Sequence, residues 1–333
     1  MATISSLPNE LLIAIFSYVA PDARAGQITT TVGRVSKLFH NLVQSSGLDV
    51  LYASVRGFKR MQKFLTLIKS RNMAQKRVES LLLVVARNDD VDRICGATAL
   101  SILEAVLSNI DASRLHTLFI HIFTCYGVPS LHLRVPLPSL TDLHLSGLVA
   151  VPPEGHPSPS PNIKHLQLLR LHELFEEEDA FPRYIHNIAP NILHLKLSVR
   201  TLQYRYFESL YDLIPLVYCD SDALANQGRT AFPDSLKQIV ACLTYDCNNP
   251  IRVPEYPPIF TVLAEKLGLD FRERCEPAPL VVVLPEEGQQ DYIPERKEAD
   301  QGEAEFVGTF VRTWMDMNLG QWTPWSPLDK GKF

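Results

Sequence analysis

Cysteine pairing is the first thing missing from this sequence. The six cysteines, Cys95, Cys125, Cys219, Cys242, Cys247 and Cys275, are scattered, and only Cys242 and Cys247 lie close together. Such spacing gives neither a disulfide framework nor the paired ligands of a zinc site. Reduced thiols, in the cytosol or nucleus, are expected. Long apolar runs are also missing. None approaches the ~18 residues that a membrane-spanning helix needs, so no membrane partner is expected. The start, MATISSLPNELL, lacks a basic stretch and a small-residue cleavage site, so a secretory signal is not expected. Positive charge is not in excess either. The net charge is −5, and no whole-chain field draws in nucleic acid or an anionic surface.

Catalytic signatures are equally scarce. No GxSxG elbow, phosphate-binding loop or GxGxxG opens a helix anywhere. There are ten histidines, yet none form an HxxxH or HExxH pair on which a metal could sit. Cys125 lies near His121 with no third group to orient the imidazole. No catalytic residue, metal or cofactor is expected, and the chain reads as a binding protein.

What is present begins with SSLPNELLIAIFSYV, Ser5 to Val19. On a helix, Leu7, Leu11, Leu12, Ala14, Ile15, Phe16, Tyr18 and Val19 cover an arc of about 200°, twice the ~100° stripe of a surface helix. Such a helix must be buried on two sides. Pro8 suits its first turn, with Glu10 placed for a capping box and Leu7 or Ser6 at the cap. A second helical pattern is TVGRVSKLFHNLV, and a third runs from LDVLYASV into GFKRMQKFLTLIKSR, Leu48 to Arg71. PDARAGQITT, between the first two, reads as a loop.

From about residue 77 a short apolar signature recurs. It is Val78, Leu81 and Leu83, then Leu115, Leu118 and Ile120, then Leu140, Leu143 and Leu145. Ile163, Leu166 and Leu168 follow, then Ile192, Leu195 and Leu197, and a weaker Leu236, Ile239 and Ala241. Each is LxxLxL, whose last two apolar residues alternate as in a strand with one buried face. Helical patterns lie between several copies, in ATALSILEAVLSNI and in LQYRYFESLYDLI. Strand, return segment and strand at this spacing predict an α/β chain built as an irregular leucine-rich-repeat solenoid over 77–284. VPPEGHPSPSP, Val151 to Pro161, is expected to be an exposed loop beside the strands. The acidic run Glu176 to Asp179 reads as a solvated helix start. The stretch EFVGTFVRTWMDMNLGQW, within 285–333, is expected to cap the open end of the solenoid.

In LxxLxL strands the residues between the leucines face the open concave side. These are Phe119, His121, His144, Ser146, Gln167, Leu169, Lys196 and Ser198, a mixed surface suited to an unidentified protein substrate. Asp142, His165 and His194 are expected along its rim.

LPNELLIAIFSYV, VSKLFHNLV and LDVLYASV together resemble an F-box. The matching residues are Leu7, Pro8, Glu10, Leu11 and Leu12, then Val35, Ser36, Lys37, Phe39 and Leu42, in the family's order and at its distance. Phe39 stands where tryptophan is commoner. The resemblance covers residues 4 to about 55 and, with the repeats downstream, looks like a fungal-type F-box protein with leucine-rich repeats. It implies a short helical F-box over 1–55, followed by a helical linker over 56–76. It also implies docking on the adaptor subunit of a cullin–RING ubiquitin ligase, and through it on cullin, by the residues just named together with Ile15 and Phe16. The chain would then be a non-catalytic substrate receptor in ubiquitin-dependent degradation. The alternative is a repeat scaffold with no ligase, whose N-terminal helices only cap the solenoid.

Overall fold

The computed structural model describes residues 4, 7–21, 27–86, 95–123, 128–152, 160–171, 180–201, 230–245, 280–285 and 296–322. Helix α1 spans Asn9–Val19 and α2 spans Lys37–Ser45. Pro8 is the cap of α1 rather than its first residue, and no side chain caps that end. The expected Glu10 capping box is therefore not formed. Ser36 caps α2, its hydroxyl accepting the Phe39 N–H at 3.2 Å. The two helices share a small core. Leu12, Phe16 and Ala20 meet Ile28, Phe39, Leu42, Val43, Leu48 and Leu51, and Phe16 stands edge-on to Phe39 with centroids 4.9 Å apart.

The main body is one sheet. Its strands are β1 (Tyr52–Arg56), β2 (Ser80–Val85), β3 (Thr117–Ile122), β5 (Asp142–Ser146), β7 (His165–Leu171), β8 (His194–Thr201), β9 (Gln238–Tyr245) and β10 (Leu280–Pro285). These eight lie side by side in chain order, all parallel. The short strands β4 (Ser130–His132) and β6 (Val149–Val151) pair separately. Register sets the recurring leucines in rows. Leu81, Leu118, Leu143, Leu166, Leu195 and Ile239 form one row, and Leu83, Ile120, Leu145, Leu168 and Leu197 form the next. Against them pack α3 (Phe58–Lys69), α4 (Cys95–Leu107) and α5 (Ala180–Ile188), through Met61, Phe64, Ile68, Leu103, Val106, Phe181, Ile185 and Ile188.

The opposite face is covered too. Helix α6 (Arg296–Asn318) lays Phe310, Val311 and Trp314 on Leu82, Val84, Phe119 and Leu169. This overturns the expected leucine-rich-repeat solenoid. The chain has an α/β arrangement, a continuous parallel sheet with helices on both faces and no open concave side where α6 lies. The LxxLxL triplets specify only one face of each strand. In β2, SLLLVV, all six residues are buried, as in parallel strands covered on both sides. The α6 segment is correspondingly not an end cap but a layer across the strands.

The boundaries shift for the same reason. LYASV is not helix. It is β1, hydrogen-bonded to β2, so the sheet begins inside the segment assigned to 1–55. The expected linker 56–76 contains α3, part of the main core. Strand β10 was not anticipated, and its LVVVLP carries no LxxLxL. The expected helix in LQYRYFESLYDLI, the acidic run, all but the ends of Val151–Pro161 and the side chains of all six cysteines lie outside the described residues.

Candidate protein-binding surfaces

Helix α1 has two apolar faces with different fates. Leu12 and Phe16, four residues apart, point into the small core with Phe39 and Leu42. Leu7, Leu11, Ile15 and Tyr18 follow the other face at helical spacing, and all are exposed. Tyr18 is 84% accessible and Leu11 52%. Val19 on α1, and Val35 and Leu38 at the start of α2, are exposed as well. The described structure covers one side of α1 and leaves the other bare. Of the twelve residues expected to dock on an adaptor, Leu12, Phe16, Phe39 and Leu42 are core. Leu7, Pro8, Glu10, Leu11, Ile15, Val35, Ser36 and Lys37 are exposed. Tyr18, Val19 and Leu38 were not singled out beforehand, although the helical arc already contained the first two.

The expected substrate surface meets the opposite fate. Phe119, His121, His144, Ser146, Gln167, Leu169, Lys196 and Ser198 do share one sheet face, but all eight are buried, from 0% accessible at Phe119 to 8% at Leu169. The expectation that they line an open surface is corrected. Nothing in the LxxLxL pattern reveals that a distant helix packs on Phe119, His121 and Leu169.

Between α6 and the sheet lies a buried polar cluster. His121 shares one ring nitrogen, Nδ1, with the Ser146 hydroxyl at 2.9 Å, and the other, Nε2, meets Glu303 Oε1 at 2.7 Å. Arg170 donates to Glu303 Oε2. Its guanidinium also sits over the Phe306 ring, 4.2 Å from the centroid, a cation–π geometry. Burial alone would raise the Glu303 carboxyl, but the His121 hydrogen bond and the Arg170 charge outweigh it and hold it at about 2. Hydroxyl, imidazole and carboxylate occur in the order of a nucleophilic triad. Here, however, all three are buried and the carboxylate is committed to Arg170. The hydroxyl has no opening toward a carbonyl, and the group acts as a clasp between α6, β3 and β7.

A second cluster adjoins it. His144 stacks on Phe119, and burial drives its imidazole down to about 3, against the pull of the Asp142 charge and the Gln167 side chain. His165 binds Asp142 through Nδ1 at 2.7 Å and stacks on His194, with planes 7° apart. Burial would raise the Asp142 carboxyl, yet hydrogen bonds from His165 and Thr141 hold it below the usual carboxylate range. Trp322 stands edge-on to both His144 and His165. The three expected rim residues are thus brought together, with Trp322 against His165. Among the described residues no group of three histidines, cysteines or acids is placed to hold a metal ion, and no helix is long and apolar enough to cross a membrane.

Comparison with protein-family models, curated proteins and solved structures gives no match. The surfaces therefore carry the functional argument by themselves.

Proposed function

We propose that this chain is the substrate-receptor subunit of a cullin–RING ubiquitin ligase, docking on the adaptor through α1 and the start of α2 and acting in the cytoplasm or nucleus. One observation carries the reading. Seven apolar side chains, Leu7, Leu11, Ile15, Tyr18, Val19, Val35 and Leu38, are exposed on α1 and α2 or within two residues before them, and the two helices already have a core of their own. Scattered exposed leucines are ordinary, whereas a contiguous apolar stripe signals a partner. The F-box resemblance includes four of the seven, Leu7, Leu11, Ile15 and Val35, and supplies the partner's class. Helices that served only as a cap would have their apolar residues turned toward the sheet. Ubiquitin transfer, in this reading, belongs to the partner subunits.

The test is capture of purified ligase adaptor by the full chain. Wild type should retain the adaptor. A Leu11→Asp, Ile15→Asp double variant should lose it while its circular dichroism and melting curve stay unchanged, because both residues are exposed. Equal capture by the two proteins would remove the ligase reading.

A further inference from the structure

Three features of α6 and its seat do not fit a helix that is merely core. The first is the composition of the seat. On the other face of the same strands, the two leucine rows are wholly apolar. On the α6 face, neighbouring strands carry His121 and Ser146, buried and linked to Glu303 of α6, with buried His144 beside them against Trp322. Apolar residues would fill that volume at no desolvation cost, whereas polar ones are costly to bury. The second is Arg170, with φ +53°, the only non-glycine residue among those described with positive φ. It lies where the β7–β8 register is broken, between Leu168 and Leu171, and its side chain ends on Glu303 and Phe306. Backbone strain of this kind persists only where the surroundings hold the residue in place. The third is the helix itself. Gly302 and Gly308 lie inside α6, and a Cβ at either would meet nothing within 4 Å. Each weakens the helix relative to alanine with no steric reason. Trp314 adds a buried indole N–H with no acceptor among the described residues. The helix is held by a specific clasp but is less stable than its seat permits.

We propose that α6 is an internal stand-in for a partner, and that the partner is an amphipathic helix bearing an acid followed by aromatic residues three, seven and eleven positions on, the spacing of Glu303, Phe306, Phe310 and Trp314. This deepens the receptor reading above and rests on it, since it names the substrate class and the device that hides the seat. The partner's acid would enter between His121 and Arg170. Its aromatic residues would take the places of Phe306, Phe310 and Trp314 against Phe119, Leu82 and Val84. Helix-in-groove recognition uses such spaced anchors. Displacement is an exchange of one occupant for another, and weakening the resident helix raises the apparent affinity of the newcomer.

The experiment uses the full chain and a labelled peptide of residues 296–322, read by fluorescence anisotropy, with hydrogen exchange on the chain itself. Glu303→Gln in the chain should raise peptide affinity at least tenfold, because the resident helix loses its clasp while His121 and Arg170 remain for the incoming acid. The same change in the peptide should lower its affinity at least tenfold. Gly302→Ala with Gly308→Ala in the chain should act the other way, slowing exchange in α6 and reducing peptide capture about tenfold. Arg170→Gly relieves the backbone and removes the guanidinium. It should therefore speed α6 exchange while strands β2 to β5 keep their protection, which guards against variants that simply unfold. Peptide affinity that is equal across all chains, or α6 exchange as slow as that of the strands in every variant, would overturn the proposal. Adaptor capture on the same samples reads the other question separately. Peptide exchange without adaptor capture supports the stand-in and removes the ligase; adaptor capture without peptide exchange overturns the stand-in alone.

Discussion

Phe119 and His144, opposite each other on β3 and β5, stack with ring centroids 3.8 Å apart and planes 12° from parallel. The pair lies wholly inside the protein, and this fixes the protonation state of the imidazole. A charged ring there would lose its hydration with no adequate return, so burial keeps His144 neutral down to about pH 3. In the unfolded chain the same ring takes up a proton near its ordinary value of 6.5. The unfolded state therefore binds more protons below that pH, and stability falls as pH drops from about 6.5 toward 3.

The size of this effect is on the order of 5 kcal/mol when the window is fully crossed. Glu303 adds a second, lower window. Its carboxylate contributes stability above about 4.5, its ordinary value, and loses it as pH falls toward 2. Urea melts at pH 7.5, 6.5, 5.5 and 4.5 should show a falling midpoint. His144→Phe, which keeps a ring against Phe119 and cannot titrate, should flatten most of that fall. A residual slope should remain from His194, pushed down by burial and then by the charges of His165 and Lys237. An unchanged slope in the variant would show that His144 is not the group responsible.

Asp49 and Arg71 join the helical unit to the sheet body. Asp49 lies in the single turn Leu48–Val50 that follows α2, and Arg71 lies just beyond the end of α3. Arg71 donates Nη1 to Asp49 Oδ1 at 2.7 Å and Nη2 to Oδ2, a two-pronged pair with little exposure. Loss of one partner leaves the other charge stranded. Asp49→Ala should cost about 3 kcal/mol, and Arg71→Lys should not rescue the planar fork. A double-mutant cycle by chemical denaturation should return a coupling of roughly 1–3 kcal/mol. A coupling near zero would mean that the two parts are held together by other contacts.

Much of this architecture was legible in the sequence, and its limits have physical causes. The LxxLxL triplets located six of the eight strands of the main sheet because burial on one face forces a period of two. They located the register as well, since Leu143 and its counterparts align across the sheet. What they could not show was the other face. Phe119, His144 and Gln167 are mixed in polarity, and polarity alone reads as exposure. Phe119 is covered by Phe310 and Trp314 of α6, and His144 by Trp322 beyond it, all more than a hundred positions away. LYASV does not declare its state, because a run as short as Leu51, Ala53 and Val55 fits either period. The two faces of α1, in contrast, were both apparent from its arc, because helical spacing places Leu11 and Leu12 on different sides.

The leucine rows make a direct prediction. Leu143 and Leu166 are fully buried beneath the helical layer. Either one changed to alanine should cost about 2–5 kcal/mol in a denaturant melt. On the α6 side, His144→Ala should also be costly, on the order of 1–3 kcal/mol, because it empties a buried ring site against Phe119. That reverses what an open concave surface would give. A variant with unchanged stability would return His144 to the surface and lift Trp322 from it.

The last prediction separates the two faces of α1 by adjacent residues. Leu12 is fully buried with Phe16 and Phe39, and Leu11 is more than half accessible. Leu12→Ala removes buried methyl groups from a small core, nine buried residues among those described. Such a core has few neighbours to close the gap, so a cost of about 3 kcal/mol is expected, with melting of the helical unit ahead of the sheet. Leu11→Ala removes the same atoms from water-facing surface. Its cost should stay within about 0.5 kcal/mol, and a slight gain is consistent with the better helix propensity of alanine. The measurement is thermal unfolding followed by circular dichroism, with hydrogen exchange to locate which helices open first. Adaptor capture then reads the same pair in the other direction. Leu11→Ala should weaken capture with the fold intact, whereas Leu12→Ala should weaken it only to the degree that the helices unfold. Equal destabilisation by both changes would mean that α1 is buried on two sides within its own chain, and its exposed stripe would no longer argue for a partner.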